Sequence, residues 1–314
     1  MVLTKGKECK AFDFLGRIFY LSDTIVSLFP LRRVEKMPEL PEVETVRKGL
    51  ETLVVGKTIK DVTILWARII EAPDAELFAL KLVGQRLEKM ERRGKYLIFK
   101  FTDYDMISHL RMEGKYETHS TDDKRDKHTH VIFKFTDGTE LRYLDVRKFG
   151  RMVLVEKDQG KNYKGILTLG PEPVATEFKL GAFRDGLKKH HKAIKPLLLD
   201  QRLVTGLGNI YVDEALWEAK IHPEQPADSL KSKETERLYH AIIDVLGRAV
   251  EAGGTTIRSY LNALGEAGTF QISLNVYGQT NQPCPRCGTP IKKIKVAQRG
   301  THFCPKCQKL KGMS

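Results

Sequence analysis

Two cysteine knuckles near the C-terminus constrain this chain more than any other feature. Cys284-Pro-Arg-Cys287 and Cys304-Pro-Lys-Cys307 stand sixteen residues apart. Two CxxC pairs at this separation supply four thiolates for one tetrahedral zinc ion. Four thiolates close the coordination shell, so this zinc is structural and not catalytic. A redox centre would need only one pair. Between the knuckles, residues 291–296 and 301–303 read as the arms of a β-hairpin with Arg299 at its tip. Such a hairpin either inserts into nucleic acid or only stabilises the fold and binds protein; spacing alone leaves both open. The fifth cysteine, Cys9, has no neighbour to pair with. A disulfide framework is therefore excluded, and a reducing, cytoplasmic compartment fits.

The chain has 314 residues, enough for two or three domains, with 41% hydrophobic and 30% charged residues. Its formal charge is +13, and residues 1–36 hold seven Lys/Arg against four Asp/Glu, which leaves +10 from Met37 onward. An excess of this size points to an acidic polymer as partner. No stretch reaches the ~18 apolar residues of a membrane span. The acids Glu8, Asp13, Asp23 and Glu35 argue against a mitochondrial presequence.

Residues 58–66, 96–101, 106–112, 130–135, 139–144 and 150–155 are short and rich in β-branched or aromatic residues. Together they predict a β-sandwich, with Asp137-Gly138 as a two-residue hairpin turn and residues 75–83 as an intervening helix. Leu169-Gly-Pro-Glu-Pro173 reads as a linker. Helices are predicted over 192–199 and 211–220, and in a third segment capped by Ser232 and ended by Gly253-Gly254. Residues 255–270 read in part as a mobile loop. The fold class is α+β and multidomain: an extension to residue 37, a β-sandwich over 38–168, a helical region over 169–275 and a zinc hairpin over 276–310.

Met37-Pro-Glu-Leu-Pro-Glu-Val-Glu44 looks like a protein start placed deep in the chain. Val43, Val46, Leu50 and Leu53 repeat at helical spacing, with Pro41 in the first helical position and Glu42 and Glu44 at the positive end of the helix dipole. Pro38 carries the less ordinary chemistry. Inside a chain its nitrogen is an unreactive amide. At a free terminus it is a secondary amine, titrating near the α-amino range of about 7.7–8.0. Such an amine attacking a sugar carbon gives an iminium that drains electrons from a neighbouring C–H bond.

Other motifs are weaker singly. Gly206-Leu-Gly208-Asn209 precedes a helix and offers backbone N–H groups to a phosphate, with Asn209 as a cap or a phosphate contact. Arg111-Met112-Glu113-Gly114 and Asp145-Val-Arg147-Lys-Phe149-Gly150 are ordinarily hairpin edges. They also suit a wedge that fills the hole left by an extruded base. Glu91-Arg-Arg-Gly-Lys95 is a solvated basic turn or a phosphate contact. His128 and His130, lacking a third ligand, are assigned no role.

Taken together, Pro38-Glu-Leu-Pro-Glu-Val-Glu, Glu-Arg-Arg-Gly-Lys95, His109-Leu-Arg-Met-Glu-Gly, Asp-Val-Arg147-Lys-Phe-Gly, Gly-Leu-Gly-Asn209-Ile-Tyr and the zinc hairpin with Arg299-Gly-Thr-His resemble bacterial formamidopyrimidine-DNA glycosylases in order and spacing. The resemblance runs from Pro38 to about Gln308. It implies an N-terminal β-sandwich, a helix–two-turn–helix domain and a zinc finger with one structural Zn2+ on Cys284, Cys287, Cys304 and Cys307. The implied partner is double-stranded DNA containing oxidised purines, bound by a monomer. Removal of 8-oxoguanine and formamidopyrimidines is followed by strand cleavage through a proline Schiff base.

By matching positions, Pro38 is the nucleophile, Glu39 the general acid/base and Glu42 the group that orders the site. Lys95 belongs with them and, like His109, Asn209 and Arg299, grips phosphates. Met112, Arg147 and Phe149 fill the vacated stack, with Arg147 reading the orphaned cytosine. Oxidation turns guanine N7 from an acceptor into an N–H donor. The resemblance implies that the carbonyl of Thr255 senses that reversal, while the amides of Ile257, Arg258, Ser259 and Tyr260 surround O6.

The family pattern begins where this sequence reads Met37. An acylated Pro38 cannot form the iminium. Translation from Met37, proteolytic removal of the first 36 residues, or a lesion-binding protein without catalysis are the three accounts of the mismatch. Outside this reading stand an endonuclease VIII-like enzyme for oxidised pyrimidines and a non-catalytic zinc-ribbon DNA-binding protein.

Overall fold

The structure, a computed structural model, describes residues 10–12, 18–20, 37–255 and 274–312. The chain divides into two compact units, Met1–Glu35 and Lys36–Ser314. In the first, β1 (Lys10–Phe12) and β2 (Ile18–Tyr20) pair antiparallel, with Lys10 opposite Tyr20.

The first element of the second unit is α1 (Leu40–Val54), with Glu39 at the N-cap. Pro41 therefore sits at the second helical position and not the first. Its missing N–H is still one of those a helix start leaves unused. Val43, Val46, Leu50 and Val54 are buried, so the predicted apolar stripe is the packed face.

The sandwich follows as β3 (Ile59–Ile64), β4 (Ile70–Ala72), α2 (Ala75–Leu82), β5 (Leu87–Arg93), β6 (Tyr96–Phe101), β7 (Tyr104–His109), β8 (Lys115–Ser120), β9 (Thr129–Phe135), β10 (Thr139–Leu144) and β11 (Arg151–Glu156). One sheet has the order β3-β9-β10-β8 and the other β4-β11-β7-β6-β5. Leu50 and Phe78 from the helices share one core with Phe99, Met106, Phe133 and Tyr143 from the sheets. The β9–β10 connection is longer than predicted. Thr136, Asp137 and Gly138 all lie outside the strands, and Gly138 takes the left-handed conformation (φ +84°) typical of a three-residue hairpin loop.

After α3 (Lys164–Leu167) come α4 (Leu180–Lys188), α5 (Ile194–Leu199), α6 (Asn209–Glu218) and α7 (Ser232–Glu251). Ser232 is the first residue of α7 and not its cap. Lys231 holds that position, and its N–H donates to Glu234 Oε2 (3.0 Å). Gly253 and Gly254, both at positive φ, end the helix as predicted. The predicted linker is an anchored segment: Glu172 is buried and pairs with Arg92 (2.9 Å) and Arg93 (3.2 Å). Every residue of α6 from Ile210 to Trp217 is buried, including Asp213 and Glu214.

The C-terminal hairpin is β12 (Lys292–Val296) and β13 (Arg299–Phe303). Its tip is Ala297-Gln298, both at positive φ, so Arg299 opens the second strand opposite Val296 and is not the tip itself. Among the described residues no helix is long and apolar enough to cross a membrane.

Candidate active site

The Gly-rich turn before α6 offers its amides as the sequence suggests, but to a carboxylate of this chain. Glu39 Oε2 accepts from the N–H of Gly208 (2.7 Å) and Tyr211 (3.3 Å), and Oε1 from that of Ile210 (2.8 Å). A side chain 169 positions earlier thus caps α6. Gly208 is required by this approach: a Cβ there would lie 2.3 Å from Glu39 Cδ. Asn209 is consequently not a cap. It is the first residue of α6, and its Nδ2 donates to the carbonyl of Gly300 in the zinc hairpin (2.9 Å).

Glu42 lies beside it. Its Oε2 accepts the Glu39 N–H (2.9 Å), closing the start of α1. Its Oε1 accepts from the Tyr211 hydroxyl (2.6 Å), the Thr255 N–H (2.8 Å) and the Thr255 hydroxyl (3.0 Å). Thr255 is therefore fixed to the site through its amide and hydroxyl. Gly254 permits the contact, because a Cβ there would meet Glu42 Oε1 at 2.8 Å. Burial, reinforced by Glu42, holds the Tyr211 phenol well above its ordinary pKa, so it remains a donor. Ile257, Arg258, Ser259 and Tyr260 lie outside the described residues.

Lys95 occupies the tight turn between β5 and β6. It is buried, and its Nζ donates to the Leu207 carbonyl (2.7 Å), next to the amide that serves Glu39. Burial pulls the lysine down, opposed by the charges of Glu39 and Glu42. Burial also raises Glu39 from 4.5 to about 7, against the pull of Lys95, with Glu42 pushing the same way as burial. A carboxyl poised near neutrality can both give and take a proton.

This has a stability consequence. A carboxyl whose folded pKa is raised binds more protons folded than unfolded, so its contribution is present below pH 4.5 and lost as pH rises through about 7. Glu39→Gln removes that dependence. Denaturant unfolding should show the variant gaining on the parent by up to ~1.4 kcal/mol per pH unit inside this window, and a constant gap above it. A constant gap from pH 5 to 8 would refute the shifted carboxyl.

His109 ends β7 and is buried against Tyr96, edge to face at 4.6 Å. Its Nδ1 accepts the Arg111 N–H (3.0 Å), which puts the proton of the neutral ring on Nε2. Burial, with the charges of Arg111 and Lys95, lowers its pKa to about 3, so it acts as a neutral donor. Met112 lies in the turn that follows. Arg147 and Phe149 occupy a second loop built around the buried Asp145. Asp145 accepts the N–H groups of Arg147 (3.0 Å), Phe149 (2.8 Å) and Gly150 (2.8 Å). Phe149 is 47% exposed, with the Arg147 guanidinium 5.1 Å from its ring centre. His130, given no role from sequence, anchors this loop through Nε2 to the Asp145 carbonyl (2.7 Å).

The zinc hairpin is fixed to α6 by acids that sequence reading did not single out. Fully buried Asp213 accepts from Lys195 Nζ (2.7 Å) and from the His302 N–H (2.8 Å). Glu214 accepts the N–H groups of Asn275, Val276 and Tyr277. Arg299 is exposed at the start of β13.

The ligand atoms of Cys284, Cys287, Cys304 and Cys307 all lie within 4.8 Å of one another, with the Cys287 and Cys304 sulfurs 3.5 Å apart. A tetrahedron of Zn–S bonds near 2.3 Å has edges of about 3.8 Å, so the set fits one zinc. The Trp217 indole N–H donates to Cys284 Sγ (3.4 Å), a sulfur that is itself buried.

Models of three families match. The formamidopyrimidine-DNA glycosylase N-terminal domain matches residues 37–152, its H2TH domain 169–260, and the zinc finger found in FPG and IleRS 281–310. The formamidopyrimidine-DNA glycosylase of Enterococcus faecalis is 75% identical over 276 residues, covering 88% of this chain and 99% of that protein. The chain belongs to the formamidopyrimidine-DNA glycosylase family. Another member, from Latilactobacillus sakei, is 60% identical over 87% of this chain and 98% of its own length. Among solved structures, the Lactococcus lactis Fpg bound to abasic-site DNA superposes with a TM-score of 0.83 at 48% identity, over 86% of this chain and 99% of that one. A MutM complex with carbocyclic 8-oxo-G DNA gives 0.82 at 48% identity, over 87% and 100%. These matches make the chain a DNA glycosylase with a C-terminal zinc finger.

Proposed function

We propose that this protein excises oxidised purines, 8-oxoguanine and formamidopyrimidines, from duplex DNA and then cleaves the abasic strand. It would act as a monomer in the cytoplasm, on nucleoid DNA. The observation that carries the reading is the buried Glu39 carboxyl, next in sequence to buried Pro38 and within the field of the Lys95 charge. The proposed domains are a sandwich over 38–168, a helical domain over 169–275 and a zinc finger over 276–310, with residues 1–37 outside the working enzyme.

In this reading the freed Pro38 nitrogen bonds to C1′ as the glycosidic bond breaks, and the base departs carrying the proton that the nitrogen gives up. The Glu39 proton goes to the ring oxygen as the sugar opens, leaving an iminium. Its positive charge acidifies the adjacent C2′–H, the Glu39 carboxylate takes that proton back, and the two phosphates leave in turn by β- and δ-elimination. Glu42 holds Glu39 and Thr255 in register. Lys95, His109, Asn209 and Arg299 bind phosphates, His109 as a neutral donor. Met112, Arg147 and Phe149 occupy the space of the flipped nucleotide. Zinc holds the Arg299 hairpin in shape and enters no step.

The test uses protein from the native source whose N-terminus sequences as Pro38. It should release 8-oxoguanine from an 8-oxoguanine·cytosine duplex and leave a one-nucleotide gap bounded by phosphates. A thymine-glycol duplex should compete less well than a formamidopyrimidine duplex. An intact damaged strand under these conditions would remove the reading.

A further inference from the structure

Two loops carry the residues assigned to the vacated stack, and they come from different strands. Met112 lies between β7 and β8, in a turn closed by the Gly114 N–H on the Leu110 carbonyl (3.0 Å), with Arg111 at φ +56°. Arg147 and Phe149 lie between β10 and β11, in the loop closed by the Gly150 N–H on Asp145 (2.8 Å), with Lys148 at φ +58°. Both loops close on glycine, and both glycines face the same atom. A Cβ on Gly114 would lie 2.0 Å from the Tyr143 hydroxyl oxygen, and one on Gly150 would lie 1.8 Å from it.

Tyr143 is fully buried on β10. Its ring is set edge to face against Tyr116 at 5.1 Å, and Tyr116 is fixed in turn by its hydroxyl on Ser108 Oγ (2.8 Å). The phenol is therefore a rigid post rising from the sandwich core, and its oxygen fills the space that both missing side chains would take. Close-packed interiors transmit displacements of this kind instead of absorbing them.

We propose that Tyr143 is a positioning residue that sets the spacing between the Met112 loop and the Arg147–Phe149 loop, and so decides whether the two can enter one vacated stack together. The proposal rests on the reading of these residues as a wedge. Tyr143 itself touches no nucleotide in this account.

The test compares zinc-loaded full-length parent and Tyr143→Phe on two duplexes. One holds a tetrahydrofuran abasic analogue opposite a fluorescent cytosine analogue. The other holds the same abasic analogue with the opposite nucleotide missing, so that no orphaned base remains for the wedge to engage. Phenylalanine keeps the ring and its packing, so the melting temperature should move little. Affinity for the first duplex should fall by about tenfold, in line with the cost of misplacing a group by a fraction of an ångström, and the fluorescence change on binding should shrink. Affinity for the gapped duplex should change by less than about twofold on the same argument. Gly150→Ala, which forces the loop off the phenol, should reproduce the selective loss. Equal losses on both duplexes, or no loss on either, would overturn the proposal. If the parent itself fails to prefer abasic DNA over undamaged duplex, the wedge reading falls first.

Discussion

Release of Pro38 from the 36 residues before it is expected to raise borohydride-trapped protein–DNA complex by about three orders of magnitude or more, the scale set by losing a nucleophile. The physical reason is local. In the full chain the nitrogen is an amide, whose lone pair is delocalised into the Met37 carbonyl. Freed, it is a secondary amine titrating at about 7.7–8.0, so trapping should climb with pH through that range. The experiment compares full-length protein with the form beginning at Pro38, on an 8-oxoguanine·cytosine duplex, in single turnover. A Pro38→Gly form of the same length should trap far less, because its imine carries no fixed charge. Comparable trapping by all three would assign the chemistry to another amine, and Lys95 would be the first to examine.

Removing zinc is the second large effect. A structural zinc contributes roughly 10–16 kcal/mol to the fold that holds it. Without the cation, nothing bridges the four sulfurs gathered within 4.8 Å, and the hairpin bearing Arg299 loses its base. Affinity for duplex DNA should fall by about 10²-fold or more, with a shallower salt dependence because cationic phosphate contacts are lost. Trp217 gives an internal reporter. Its indole touches Cys284 Sγ at 3.4 Å and lies 4.0 Å beneath the Arg286 guanidinium, so its emission should change as the knuckles open. Zinc should restore both signals. Unchanged DNA affinity alongside altered Trp217 emission would mean that the hairpin plays no part in binding.

Much of the fold was legible in the sequence where the chemistry is local. The four cysteines, the apolar stripe of α1, the strands with β-branched runs and the Gly253-Gly254 stop each follow from neighbours in the chain. The missed strands share one cause. Strand β5 reads as a charged segment, Leu-Glu-Lys-Met-Glu-Arg-Arg, because it lies at a sheet edge and a register shift between Leu87 and Lys89 breaks its alternation. Strand β8 is also an edge, with Tyr116 its one buried residue. Edges need few apolar residues, so periodicity says little there.

The site shows the same limit. The Gly206-Leu-Gly208 turn announced an acceptor for its amides, and one is present, but it is the Glu39 carboxyl, 169 positions earlier in the chain. Nothing near Asp213 in sequence foretells Lys195, nor does anything near Tyr143 foretell two glycines on separate loops. The amine chemistry expected of Pro38 follows from its place in a start-like motif, whereas the role expected of Glu39 came only through the family resemblance. Their geometry became visible only when the helical region folded against them.

The capping of α6 by Glu39 makes modularity costly for this architecture. A sandwich severed from the helices would keep Pro38 yet leave the Glu39 carboxyl in open water, with an ordinary acidity. A helical half alone would expose three bare amides at the start of a helix buried on every side. Neither fragment keeps this cross-boundary clasp, and a chimera joining halves from distant ancestors must import it intact.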